Sequence, residues 1–299
     1  MTSRILVTGC RGQLGRALVE QLSGSAEVGA APVGVDIDEL DVADRDAVRA
    51  FVDALPEPPQ LVLNAAAFTA VDRCESEPEA AERGNVVAPA VLAELARDVG
   101  AQLVHVSTDY VFAGDGKEPY RETDPPGPRS AYGRTKLAGE HRVLEASDEF
   151  LVVRTSWVFG HGRNFIAAIL AQAAMRRSGE ASGPLRVVAD QRGRPTYAVD
   201  LATALLRLVE VKARGLYHVA NDGIATWWDL ARFVLDEAGY ADLEIERSRT
   251  KDLDLPAPRP TWSVLDCAKA KAAGVRMPSW QDAVRTYLDS DASPLSSES

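Results

Sequence analysis

The stretch TGCRGQLG, Thr8 to Gly15, decides how the first half of the chain is read. Its glycines, Gly9, Gly12 and Gly15, are spaced G-x-x-G-x-x-G. The apolar run RILVT (4–8) precedes them, and GQLGRALVEQL (12–22) follows with Leu14, Leu18 and Leu22 at helical spacing. A strand, a glycine turn and a helix in that order let a pyrophosphate approach the backbone closely. The helix start then offers that anion free N–H groups and a partial positive charge. A glycine pattern alone is weak evidence, but here all three parts fall where the chemistry needs them. Gly9 and Gly12 are therefore candidate cofactor contacts.

The same alternation continues outward. PVGVD (32–36), LVLNAAA (61–67), QLVHVSTD (102–109) and FLVVRTSWV (150–158) read as strands. Between them, ADRDAVRAFVDAL (43–55) carries an apolar stripe of Ala47, Val48, Phe51, Val52 and Leu55 behind a capping Asp44. APAVLAELARDVG (88–100) ends on Gly100, where a helix stop is expected. Repeated strand–helix units of this length predict parallel strands with right-handed crossovers. The second half is less regular. Segments 164–177, 198–210, 227–239 and 279–288 have helical patterns, and LRVV (185–188) and GLYHVA (215–220) read as strands. The expected fold is α/β, a Rossmann-type doubly wound parallel sheet with a smaller interleaved substrate lobe. Residues 1–155 form the dinucleotide-binding domain, with later returns near 195–235, and 156–299 form the lobe. DSDASPLSSES (289–299) lacks apolar periodicity and is expected to be disordered.

The chain has 299 residues, 46% of them hydrophobic and 26% charged, with a net charge of −11. Such acidity argues against gripping a nucleic-acid backbone. No apolar run is long enough to span a bilayer. The opening MTSRILVTG runs straight into a strand, so no leader is expected. Cys10, Cys74 and Cys267 show neither a disulfide framework nor metal-ligand spacing. These features predict a cytoplasmic protein with reduced thiols and no nucleic-acid or membrane partner.

Asp36, at the end of the second strand, can accept hydrogen bonds from an adenosine ribose diol and would repel a 2′-phosphate, which favours NADH. Arg11, inside the glycine loop, can instead pair with such a phosphate, so the two signals conflict. Asn64, Ala65, Ala66 and Ala67 are small enough for a cofactor to lie against the strand ends. Further on, SAYGRTKLAGE (130–140) puts Tyr132 and Lys136 one helical turn apart. A free phenol has a pKa of about 10 and is a poor acid at neutral pH. An ammonium at ~4 Å, in an effective dielectric of about 20, attracts the phenolate by about 4 kcal/mol. That predicts a phenol pKa lowered by as much as roughly three pH units, making Tyr132 a useful proton donor to a carbonyl receiving a hydride. Lys136 can also bond a nicotinamide ribose hydroxyl. Thr108 lies at the carboxyl end of the fourth strand, where ligands meet open α/β sheets, and its hydroxyl can bond the same substrate oxygen.

Taken together, TGCRGQLG, NAAAFTAVDRCESEP, HVSTDYVFAG, YGRTKLAGE, RTSWVFG, DQRGRPTY and RPTWSVL resemble the dTDP-4-dehydrorhamnose reductases, which are extended short-chain dehydrogenase/reductases. The matches run in order from Arg4 to about Leu288. The resemblance implies reduction of the 4-keto group of dTDP-4-dehydro-β-L-rhamnose with NADPH or NADH, the last step in making dTDP-L-rhamnose. It assigns Thr108, Tyr132 and Lys136 as catalytic. It implies cofactor contacts at Gly12, Gln13, Leu14, Asp36, Asp41, Val42, Ala67, Phe68 and Thr69, besides Tyr132 and Lys136. It places a dTDP-4-keto-6-deoxysugar against Val71, Thr108, Asp109 and Trp157, with Asn164, Arg194 and Arg259 as further candidates for the nucleotide diphosphate. The chain is expected to be a monomer or homodimer. Some members of that family pair through Mg2+; no ligands for it can be placed here, and no metal residue is assigned.

Sister enzymes on the same fold are dehydratases and epimerases. Dehydratases tend to carry Asp-Glu after the threonine, whereas Thr108 is followed by Asp109 and Tyr110, which favours reduction without elimination. Two other readings stay open. One is a 4-ketoreductase of another dTDP-deoxysugar. The other is a regulatory subunit that binds a dinucleotide without turnover.

Overall fold

In a computed structural model, which describes residues 4–24 and 32–295, the apolar runs of the first half become one parallel sheet. Its strands are β1 (Ile5–Thr8), β2 (Val33–Val35), β3 (Leu61–Asn64), β4 (Gln102–Thr108), β5 (Leu151–Thr155) and β6 (Gly215–His218). They lie in the order β2-β1-β3-β4-β5-β6. The chain leaves β1 for one neighbour and then crosses to the other side of it. That reversal opens a crevice over the carboxyl ends of β1 and β3. The register brings Thr8 beside Asn64, Asn64 beside His105, and Thr108 beside Thr155.

Period-two alternation sends side chains to two covered faces. Val7, Leu63, Val104 and Val153 meet helices α1 (Gln13–Gly24) and, from far along the chain, Ala198–Glu210. Leu6, Val62, Leu103 and Val152 meet α2 (Arg45–Asp53), α3 (Ala88–Val99) and α4 (Ala131–Ala146). Leu14, Leu18 and Leu22 are all buried, as their spacing requires. The Asp44 side chain accepts from Ala47 N at 3.0 Å, and Gly100 ends its helix at φ 72°. Between α2 and α3 lies a turn of π-helix, Arg83–Val87, that the apolar pattern does not announce.

A second cluster gathers Phe159, Ile166, Leu170, Leu230, Val234, Trp280, Val284 and Tyr287 from helices Phe165–Arg177, Trp227–Glu237 and Trp280–Leu288. Residues 289–295 differ from the expected disordered tail. Ala292 and Leu295 pack against this cluster, Ser293 is buried, and Ser290 Oγ donates to Tyr287 O at 2.7 Å. Two apolar side chains three residues apart suffice to seat so short a segment, although they make no visible period. Residues 296–299 of that expectation lie outside the described residues. Among the described residues no helix is long and apolar enough to cross a membrane, and Cys10, Cys74 and Cys267 are free thiols.

Candidate active site

A cleft of about 1190 Å³ lies over the carboxyl edge of the sheet. One wall is the glycine loop. Gly9 takes φ +68°, and a Cβ there would sit 2.7 Å from Ala66 N. A Cβ on Gly15 would run into the Gly9 carbonyl, so helix α1 can start this close to β1 only with glycine. Gly9, Gly12, Gln13, Leu14, Asp36, Asp41, Val42, Ala67, Phe68 and Thr69 all line the cleft, as do Val71, Thr108, Asp109, Tyr132, Lys136 and Trp157. Sixteen positions chosen from scattered motifs thus converge on one cavity.

At the Asp36 end of the cleft, the Asp36 carboxylate accepts from Arg11 N at 2.9 Å and from Ile37 N at 2.9 Å. The Arg11 guanidinium is held by Asp38 at 2.6 Å and by Glu39. The cation that could have met a 2′-phosphate is already engaged by two carboxylates. Arg83, from the π turn, binds Asp41 at 2.6 Å. Burial raises the Asp41 carboxyl, but Arg83 and the Ala43 N–H together outweigh it and the net shift is downward.

At the other end, Ser130 caps α4, its Oγ accepting from Gly133 N at 3.1 Å, which sets Tyr132 and Lys136 on the face toward the sheet. Lys136 is only 1% exposed, and its Nζ donates to Val106 O at 2.7 Å. Burial lowers its pKa to about 8, with Glu140 pulling the other way. The Tyr132 phenol departs from expectation. Burial pushes it up from its ordinary value, helped by Asp109, Tyr110 and Cys74, and only the nearby Thr108 hydroxyl lowers it. The ammonium donates to the Val106 carbonyl, and Lys136 is not among the groups that shift the phenol. A protonated phenol is the resting form. Thr108 Oγ1 donates to Asp109 Oδ1 at 3.0 Å. Asp109 is 2% exposed, and burial raises its carboxyl to about 6 against the Ser263 and Thr108 hydroxyls.

Gln13 Oε1, Ser107 Oγ, Asp109 Oδ2 and Thr155 Oγ1 are buried in this lining without hydrogen-bond partners among the described residues. Four orphaned polar atoms around a cleft that starts at a helix N-terminus suit a long polar ligand, and a nicotinamide dinucleotide fits that description. Trp157 takes φ +50°, a strained value for a bulky residue, and stacks on Trp227 at 3.7 Å with the rings 6° from parallel. A Cβ on Gly193 would strike the Trp157 ring, so the glycine of DQRGRPTY makes room for it.

Three expected site residues fall outside the lining. Asn164 caps helix Phe165–Arg177, accepting from Ala167 N at 3.0 Å, and its Nδ2 donates to Gly160 O and Tyr287 Oη at 2.6 and 2.9 Å. Its side chain is consumed by the fold. Arg194 pairs with Asp222 at 3.4 Å, and Arg259 with Asp72 at 2.7 Å, the residue after Val71 at the rim. Sequence reasoning missed Trp227, Ser107, Thr155, Arg83 and Arg163, all of which line the cleft. The basic segment HGR after RTSWVFG was the one available signal for Arg163. Among the described residues no group of three or more His, Cys, Asp or Glu side chains is arranged to hold a metal ion.

A doubly wound parallel sheet, a glycine turn at its switch point and a Tyr–Lys helix facing the same crevice define a dinucleotide-dependent reductase or epimerase of the short-chain class. The chain belongs to the RmlD substrate binding domain family, whose model matches residues 3–293. It is 42% identical to a dTDP-4-dehydrorhamnose reductase of Mycolicibacterium smegmatis, over 95% of this chain and 85% of that protein. It is 41% identical to a probable dTDP-4,6-dihydroxy-2-methyloxan-3-one 4-ketoreductase of Streptomyces antibioticus, over 94% of this chain and 93% of the relative. Among solved structures, dTDP-4-dehydrorhamnose reductase from Bacillus anthracis in complex with NADP superimposes with a TM-score of 0.86 at 32% identity, covering 96% of this chain and 99% of that one.

Proposed function

We propose that this chain reduces the 4-keto group of dTDP-4-dehydro-β-L-rhamnose to give dTDP-L-rhamnose, using NADPH or NADH, as the last step of dTDP-rhamnose biosynthesis. The observation that carries this reading is the convergence of Thr108, Tyr132 and Lys136 on the cleft that begins at the glycine loop. Near-full-length similarity to proteins of that name supports it.

When bound, the reduced nicotinamide supplies the hydride received by C4 of the sugar. Tyr132, resting as a protonated phenol, delivers its proton to O4. Thr108 turns its one hydroxyl hydrogen from Asp109 Oδ1 to the same oxygen and polarises it. Lys136 bonds the nicotinamide ribose and so fixes the cofactor beside the phenol. Gly9, Gly12 and the start of α1 receive the pyrophosphate. Trp157, Val71 and Asp109 form the sugar end, walled by the Trp157–Trp227 stack. The enzyme is read as cytoplasmic, a monomer or homodimer, with a dTDP-4-keto-6-deoxysugar as its partner molecule.

A second reading, a 4-ketoreductase of another dTDP-deoxysugar, is favoured by the Streptomyces antibioticus relative. One experiment separates the readings: absorbance at 340 nm with NADPH or NADH and a panel of dTDP-keto-sugars. Decay that is fastest with dTDP-4-dehydro-β-L-rhamnose supports the first reading, and decay only with another keto-sugar supports the second. No decay with any pair would leave a dinucleotide-binding regulatory role and reject both.

A further inference from the structure

Behind Lys136 lies a buried polar chain that the reaction as described does not use. Thr8, Asn64 and His105 are adjacent across β1, β3 and β4, and none is more than 1% exposed. Asn64 Oδ1 accepts from Thr8 Oγ1 at 2.8 Å and from the Ala66 backbone N–H at 3.1 Å. The Ala66 N–H can only donate, so it settles which amide atom is the oxygen. Asn64 Nδ2 must then donate to His105 Nδ1, 2.9 Å away. A neutral imidazole whose Nδ1 accepts carries its proton on Nε2. Burial holds His105 in that neutral form, well below the usual histidine range, with the Lys136 charge adding to the effect. The Nε2–H then faces Lys136 Nζ, 3.5 Å away.

An N–H donor set against an amine leaves the amine nothing to donate to on that side. It tolerates the ammonium poorly and can be accepted by the neutral amine. Of the remaining Nζ protons, Val106 O takes one. We propose that His105 is a positioning residue for Lys136: its imidazole, locked as the Nε2–H tautomer by Asn64, closes the inner side of the lysine head and turns its free N–H groups into the cleft. This rests on the reading that Lys136 acts in the site. Glu140, on the same helix, favours the ammonium but is tied to Arg154 of β5 at 2.6 Å. The other charged groups on the elements packed around this helix are Asp109, Asp72, Arg73, Glu75, Glu79, Glu82, Arg83, Glu94, Arg97 and Asp98, and none has a hydrogen bond to Nζ among the described residues. On α4 itself Tyr132 lies one turn before Lys136, and Arg134, His141, Arg142 and Glu145 are the other ionisable residues.

The tautomer can be read in the unaltered chain with 15N-labelled histidine. His105 is expected to show an unprotonated, accepting Nδ1 and a protonated Nε2 throughout pH 6 to 9; a proton on Nδ1, or on both nitrogens, overturns the proposal. His105→Phe keeps the ring bulk and removes the N–H. It is expected to weaken NADPH binding about fivefold and to move the basic limb of the kcat profile upward by about one pH unit. A purely structural role would lower activity at every pH without moving the limb, and that result also overturns the proposal. If His105→Phe does not fold, the tautomer measurement decides. Lys136→Met separates the two layers of the argument. Unchanged NADPH affinity there would remove the reading of Lys136 itself. Impaired affinity there, with a His105→Phe protein that keeps its affinity and its limb, would remove only the role of His105.

Discussion

Arg154 of β5 forms a forked ion pair with Glu140 of α4, Nε to Oε1 at 2.8 Å and Nη2 to Oε2 at 2.6 Å, with both side chains almost wholly buried. This pair, not a catalytic role, accounts for the glutamate that closes YGRTKLAGE: it fixes the helix carrying Tyr132 and Lys136 to the sheet. Glu140→Ala leaves a buried guanidinium without its partner and is expected to cost about 3–5 kcal/mol. Urea unfolding checks this. Adding Arg154→Met should recover most of the loss, because the cost lies in the unpaired charge.

Lys136 is held at the expense of stability. Its pKa falls from 10.5 to about 8 on folding. The unfolded chain therefore binds the extra proton between those values, and stability rises with pH across that window. Below pH 8 the full penalty is present. Lys136→Met is expected to raise Tm by on the order of a few degrees at pH 7, with the gain fading toward pH 10. The same variant should bind NADPH more weakly and turn over more slowly. Thermal melts at several pH values, with cofactor titrations, measure both.

Asp109 has the opposite sign. Its folded pKa of about 6 lies above the ordinary 3.8. The stability contributed by its proton is complete below pH 3.8 and is lost as pH rises through 6. Asp109→Asn, which cannot ionise, is expected to gain on the order of 1–3 kcal/mol over the parent above pH 6. The two proteins should converge near pH 4. Melting temperature against pH is the test, and parallel curves for the two proteins would contradict it.

Strands and helices were legible because each needed only a local signal: an apolar run, a 3.6-residue stripe, Asp44 as a cap or Gly100 as a stop. The cleft lining was legible where an open α/β sheet puts a residue type at a strand end or helix start, as at Gly9, Thr108 and Asp36. It was illegible where a side chain's partner lies far along the chain. Asn164 looks like a ligand in sequence because Tyr287, which it bonds, is more than a hundred positions away. Trp227 reaches the cleft only by stacking on a Trp157 whose backbone φ is positive. The Tyr132 phenol was misjudged for the same reason, since spacing on a helix does not reveal that Lys136 is turned to Val106 O.

Cofactor choice is expected to depend on Arg11. Its guanidinium is shared by Asp38 and Glu39 and is not free to meet a 2′-phosphate. Replacing both carboxylates, by Asp38→Asn with Glu39→Gln, releases the arginine and removes two negative charges. The ratio of NADPH to NADH affinity is expected to rise by on the order of tenfold at low salt and less at high salt. Calorimetric titration with each cofactor reads the ratio directly.

The most direct test is Tyr132→Phe, which removes one oxygen from the cleft. Turnover of the dTDP-keto-sugar is expected to fall by about 10²–10⁴ while the NADPH dissociation constant stays near that of the parent. Near-normal turnover in that protein would contradict the assignment of the phenol as proton donor.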